Sequence, residues 1–219
     1  MRLLHELTRK PWQTSQGPVV DLPTSAGYAL PSAKIGLRVL LGALSVLFLL
    51  LIFAYGGRMT YEDWRPAPQL GLLWLNTALL ISSSLGLQWA VVSGRRAEMS
   101  GVSLGLLSGG LFAVAFLAGQ LVAWQQLQAR TVFDLTNPAI AFFYMITALH
   151  GLHLLGGLVA WARTTAKMWR GVPLLELRLS VELCAFYWHF LLVVWLVLFG
   201  LLFSGNDNLG VLMALCGLR

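Results

Sequence analysis

The chain alternates long apolar runs with short polar breaks, and five of the runs are long enough to cross a bilayer. A helix rises 1.5 Å per residue, so about 20 mainly apolar residues match a hydrocarbon core of about 30 Å. The qualifying segments are Ile35 to Tyr55, Leu70 to Val92, Val102 to Gln126, Pro138 to Ala162 and Val181 to Phe203. They predict an all-α integral membrane protein, a bundle of five transmembrane helices. Only the fourth run starts sharply: Asn137 is a capping residue, and Pro138 stands where its missing N–H costs nothing. The expected organisation is an N-terminal segment over residues 1–34, a membrane domain over 35–203 and a tail over 204–219. Leu209 to Leu218 is too short to span and is expected to lie at the interface or against protein. Near the start, Leu3, Leu4 and Leu7 form a stripe opposite Arg2, Glu6, Arg9 and Lys10, until Pro11 interrupts it. A short helix on the leaflet and a disordered tail both fit that pattern. Residues 1–34 lack the apolar stretch and cleavage site of a secretory signal, so the first span is expected to direct its own insertion.

Composition agrees with lipid as the main solvent: 58% of the 219 residues are apolar, 11% are charged, and the mean hydropathy is +0.74. The longest polar stretches, residues 1–34 and Arg163 to Ser180, are too short to build a soluble core. The net charge of +6 is explained by topology and calls for no nucleic acid. Eleven basic residues fall on one side of the five spans: Arg2, Arg9, Lys10, Lys34, Arg38, Arg95, Arg96, Arg163, Lys167, Arg170 and Arg178. Four fall on the other: Arg58, Arg65, Arg130 and Arg219. Cytoplasmic loops carry the excess, so the N-terminus is expected in the cytoplasm and the C-terminal tail outside. Cys184 and Cys216 have no metal-ligand spacing, and no disulfide is expected.

Polar groups inside a membrane are costly, so each is a candidate for chemistry. In the fourth run Phe143, Thr147, His150, Leu154 and Gly157 share a helical stripe, with His153 at its edge, and this face is expected toward the bundle interior. In the fifth, Glu182, Phe186, His189 and Val193 share a face, while Trp188 and Trp195 form a second one, packed or lipid-facing. Imidazoles suit iron, copper and zinc. A dihaem site, however, needs two opposed pairs of histidines on different helices, and here two sit on one helix and the third stands alone. Hydrogen bonds between helices, with Thr147, Glu182 or Ser84 as partner, are the better account. Gly101, Gly105 and Gly109, followed by Ala113, form a ridge that permits close helix approach, and Asn76, Thr77, Ser82, Ser83 and Ser84 offer cross-helix bonds. No phosphate loop, zinc-protease motif or nucleophile elbow is present.

Three ordered stretches carry a resemblance. Phe143-Tyr-Met-Ile-Thr147-Ala-Leu-His150-Gly-Leu-His153-Leu-Leu-Gly156 resembles the F-x-x-x-T-G-x-H-G-x-H-V-x-x-G helix of haem-copper respiratory oxidase (cytochrome c oxidase) subunit III. Glu182 followed by Tyr187-Trp188-His189-Phe190 and Val193-Val194-Trp195 is similar to the family's E…Y-W-H-F-V-D-V-V-W. Leu75-Asn76-Thr77 through Trp89-Ala90 is similar to its L-N-T…S…W-A helix. The topology matches the short five-helix bacterial form. Ala148 replaces a glycine, Leu192 stands where aspartate is frequent, and Gly42-Ala43-Leu44-Ser45-Val46 lacks a glutamate that many members embed in this span. A role for that carboxylate does not carry over.

The resemblance implies an accessory, non-redox subunit of a haem-copper terminal oxidase in the bacterial inner (cytoplasmic) membrane. It would have no cofactor of its own. Its partners would be catalytic subunit I, which holds the haem and copper, and subunit II. It would hold phospholipids in a helix cleft and support proton uptake and enzyme lifetime rather than oxygen reduction. His150, His153, Glu182, His189 and Thr147 are then expected in the polar bundle interior or lipid cleft, with Arg95, Arg96 and Arg163 as headgroup contacts. Competing functions are a subunit-III-like partner of a quinol oxidase or nitric oxide reductase, a haem-binding membrane electron carrier, and a small transporter. A haem spectrum marks the carrier, and broken helices mark the transporter.

Overall fold

A computed structural model describes residues 32–65, 68, 70–130 and 137–203. The N-terminal stripe, the tail with Leu209 to Leu218 and Cys216, and the start of the segment before Asn137 lie outside the described residues. Five helices follow one another: α1 (Ser32–Arg58), α2 (Leu72–Arg95), α3 (Met99–Arg130), α4 (Pro138–Trp169) and α5 (Leu174–Phe203). Each is long and apolar enough to cross a membrane, so the protein is a multi-pass membrane protein.

The helices run past the apolar segments that predict them, because helix geometry continues into the interface where Lys and Arg reach headgroups. The largest difference lies between the fourth and fifth runs. Arg163 and Lys167 lie on α4 and Arg178 on α5, leaving only Arg170 to Pro173 as the connection, where a longer polar segment is expected from sequence. Gly171, at φ 71°, turns the chain here, and Val172 N donates to Lys167 O at 3.3 Å. Three residues, Arg96 to Glu98, join α2 to α3. The predicted start of α4 is observed: Asn137 accepts from Ala139 N at 3.0 Å, with Pro138 next.

The α2–α3 seam is the tightest, and the glycine ridge explains it. A Cβ on Gly105 would meet Ala90 N at 2.6 Å and Gly86 O at 2.7 Å, so the two backbones are in contact there. Gly109 packs on Leu87, and Ser83 donates to Gly109 O at 2.7 Å. Further along, Asn76 Nδ2 donates to Gln120 Oε1 at 3.2 Å between buried side chains. The Trp161 ring lies against Gly110 and donates to Leu106 O at 2.8 Å, which fixes α4 on α3.

The first helix is attached differently. Its buried residues are Leu41, Leu44, Phe48 and Tyr55, a narrow stripe, whereas Val39, Val46, Leu50 and Phe53 are all more than half exposed. Phe48 and Tyr55 join Ile146, Leu198 and Leu201 in a small cluster separate from the main core. The loop after α1 closes over this cluster. Trp64 stacks edge-on against Tyr55 at 5.0 Å, and Asn137 Nδ2 donates to Arg65 O at 2.9 Å.

Candidate functional site

The polar side chains singled out by sequence fall into three neighbourhoods rather than one site. The first is the stripe on α4, where Phe143, Thr147, His150 and Leu154 are buried as the 3.6-residue period requires. Thr147 donates to its own Phe143 O at 2.6 Å and accepts from Trp124 Nε1 at 3.0 Å, so its hydroxyl serves the α3–α4 seam and not an imidazole. His150 is completely buried, and neither ring nitrogen has a hydrogen-bond partner among the described residues. Its neighbours are rings: Phe48 at 6.2 Å, Phe116 at 6.2 Å and Trp195 at 5.3 Å between centroids. His153, half-buried, turns back to Leu149 O at 2.7 Å and packs edge-on against Phe48. Tyr187 of α5 donates to His153 O at 3.0 Å.

The second neighbourhood is the α2–α5 seam, where polar pairs recur like rungs. Arg95 Nε lies 3.7 Å from Glu182 Oε1 at one end. Seven residues along each helix, His189 Nε2 bonds Gln88 Oε1 at 3.0 Å, and Ser84 bonds His189 Nδ1. With the ring proton on Nε2, His189 donates to Gln88 and accepts from Ser84. Further along, Trp195 Nε1 donates to the buried Thr77 hydroxyl at 3.0 Å. Trp188 and Trp195 are buried, which decides between the two expectations for that face, while Phe186 and Val193 are more than half exposed. Glu182 and His189 therefore stand at the outer edge of the seam; of the five groups expected in the interior, His150 and Thr147 are buried, while His153, Glu182 and His189 are partly exposed.

The third is the basic rim. Arg95, Arg96 and Arg163 are exposed at the end of the bundle that also carries Lys167, Arg170 and Arg178. Lys167 Nζ donates to Ser180 at 3.0 Å across the α4–α5 turn. At the opposite end Arg58 clamps Asp63 with its two terminal guanidinium nitrogens, one bond measuring 2.8 Å, and lies 4.7 Å over the Tyr61 ring. That guanidinium holds the Asp63 carboxyl below its usual range, chiefly through the hydrogen bond.

Of the partners considered for the imidazoles, Ser84 is used, for His189; Gln88, Trp124 and Phe48 were missed. Their signal was a polar or aromatic residue whose partner lies on another helix, and spacing within one helix does not carry it. Among the described residues no three His, Cys, Asp or Glu side chains come together as a ligand set. The span-one stretch without a glutamate has Ser45 bonded to Leu41 O at 2.8 Å. On the outside of α1 and α4 runs a groove of about 960 Å³ lined only by apolar side chains, among them Val46, Leu50, Met145, Ala148 and Leu152.

Comparison with known proteins follows the same residues. The family model described as cytochrome c oxidase subunit III matches residues 63–205, that is α2 to α5 with the loop before them. Cytochrome c oxidase subunit 3 of Synechocystis sp. is 32% identical over 180 residues, covering 77% of this chain and 73% of that protein. The subunit 3 of Pylaiella littoralis is also 32% identical, over 73% of this chain but only 58% of its own length. A probable cytochrome c oxidase subunit 3 of Mycobacterium leprae is 32% identical over 64% of this chain and 70% of that protein.

Proposed function

Because the chain belongs to the cytochrome c oxidase subunit III family, we propose that it is the accessory, non-redox subunit of a haem-copper terminal oxidase in a bacterial inner membrane. It packs on catalytic subunit I, which holds the haem and copper, and beside subunit II, and it supports proton uptake and enzyme lifetime. Orientation follows the basic rim: the α2–α3 and α4–α5 turns face the cytoplasm, with residues 1–34 on that side and 204–219 outside.

The observation that carries this reading is the apolar groove between α1 and α4. A groove of about 960 Å³ with no polar side chain in its lining suits acyl chains, and no side chain in it would orient a polar substrate. The Arg95, Arg96 and Arg163 rim lies where anionic headgroups gather, each cation contributing about 1 kcal/mol of attraction near the surface. The polar side chains of α2 to α5 are mostly committed to holding helices together, as at Thr147 and His189. Such a bundle supports a neighbour; it does not perform electron transfer.

Deleting the chain tests this. At matched haem content, initial turnover and the partner's spectrum should remain while the inactivation half-life shortens and proton uptake weakens at high pH. Unchanged half-life and pH profile would defeat the accessory role. Loss of the haem-copper spectrum would instead make the chain an assembly requirement.

A further inference from the structure

We propose that the outer edge of the α2–α5 seam is the face that docks on the oxidase, receiving a transmembrane helix of a neighbouring subunit that presents a hydrogen-bond acceptor to Gln88. This rests on the accessory role above and adds which face is used and by what chemistry.

Gln88 stands seven residues before Arg95, the last residue of α2, so it sits about 10 Å inside the rim. A glutamine side chain reaches only about 5 Å, too short to snorkel to the headgroups. Yet Gln88 is exposed on the surface of the bundle. Its carbonyl oxygen is occupied by His189 Nε2, and that imidazole is held in turn by Ser84. The amide N–H bonds of Gln88 have no acceptor among the described residues. An unmet polar group in hydrocarbon costs several kcal/mol, so something beyond the described residues must accept these bonds.

Two candidates from the bilayer fit badly. Acyl chains carry no acceptor at this depth, and ester carbonyls lie nearer the headgroups. A protein helix fits well: Leu85, Phe186 and Val193, each more than half exposed, flank Gln88 and His189 with apolar contact area. The Arg95–Glu182 pair, still partly open at the rim, offers a second polar rung with the same seven-residue spacing, which fixes the register of an incoming helix. The α1–α4 groove makes the contrast, since it asks for nothing but apolar contact. One face is therefore built for lipid and the other for protein.

The test uses the whole oxidase complex extracted in mild detergent. A photoreactive phenylalanine analogue replaces Leu85 or Phe186 on the proposed face and, as control, Leu152 in the α1–α4 groove. The first two should cross-link to another oxidase subunit, and the third to lipid. Separately, Gln88→Leu should lower the amount of this chain retained per haem about 3- to 10-fold, the range expected for one cross-helix hydrogen bond in a membrane. Circular dichroism of the variant guards against misfolding. Retention unchanged in Gln88→Leu, or cross-links to subunits only from position 152, would overturn the docking face while leaving the accessory role standing. If no oxidase subunit accompanied the unmodified chain, the accessory role itself would fall with it.

Discussion

At the scale of single residues, His150 is a fully buried membrane histidine with no hydrogen-bond partner among the described residues. A buried polar group without a partner destabilises, but the ring also fills space among Phe48, Phe116 and Trp195. Removing the ring should cost more than removing its polarity. We expect His150→Ala to lower unfolding stability in mixed micelles by about 2–4 kcal/mol, as large-to-small core changes do, and His150→Phe to cost clearly less. Equal losses would mean that the nitrogens hold something the ring alone does not explain. Asp63 offers a pH test outside the bundle. Arg58 lowers its folded-state pKa, so the clamp contributes order above the usual carboxylate range, and that contribution is lost as pH falls through the lowered folded value. Hydrogen-exchange protection factors in the loop of Trp64 should therefore be retained at pH 5 and lost only as pH falls below the usual carboxylate range, whereas in Asp63→Asn they should be low throughout.

At the scale of elements, the helices divide into a locked group and a looser member. Backbone contact makes the α2–α3 seam intolerant of added atoms: Gly105→Ala places a methyl 2.6 Å from Ala90 N, and neither backbone can yield cheaply. We expect a loss of about 1–3 kcal/mol, typical of overpacking. Gly42→Ala on α1, where a Cβ meets nothing within 4 Å, should be neutral or slightly stabilising. Equal effects in a thermal-unfolding comparison would contradict the packing described here. The glycine spacing was legible in the sequence because a four-residue repeat puts small residues on one helix face whatever their partner. The choice of α2 as partner was not, since several helices present small residues.

At the scale of the whole molecule, the short connections make consecutive helices alternate direction, which gathers Arg95, Arg96, Arg163, Lys167, Arg170 and Arg178 at one end of the bundle. In cells, a cysteine at Ala97 should resist a membrane-impermeant reagent while one at Tyr61 reacts; the reverse pattern would invert the orientation. The number of spans, the cap at Asn137, the stripe through Thr147 and His150 and the family motifs were all determined by sequence alone. The cause is physical: hydropathy, helical period and capping are properties of neighbours along one chain segment. Only the tertiary structure decided that His189 pairs with Ser84 and Gln88, that His150 is walled by rings from α1, α3 and α5, and that Trp188 and Trp195 turn inward. Those outcomes depend on how each helix is rotated against its neighbours, and rotation is set by packing between residues as far apart as Ser84 and His189, which no local period encodes.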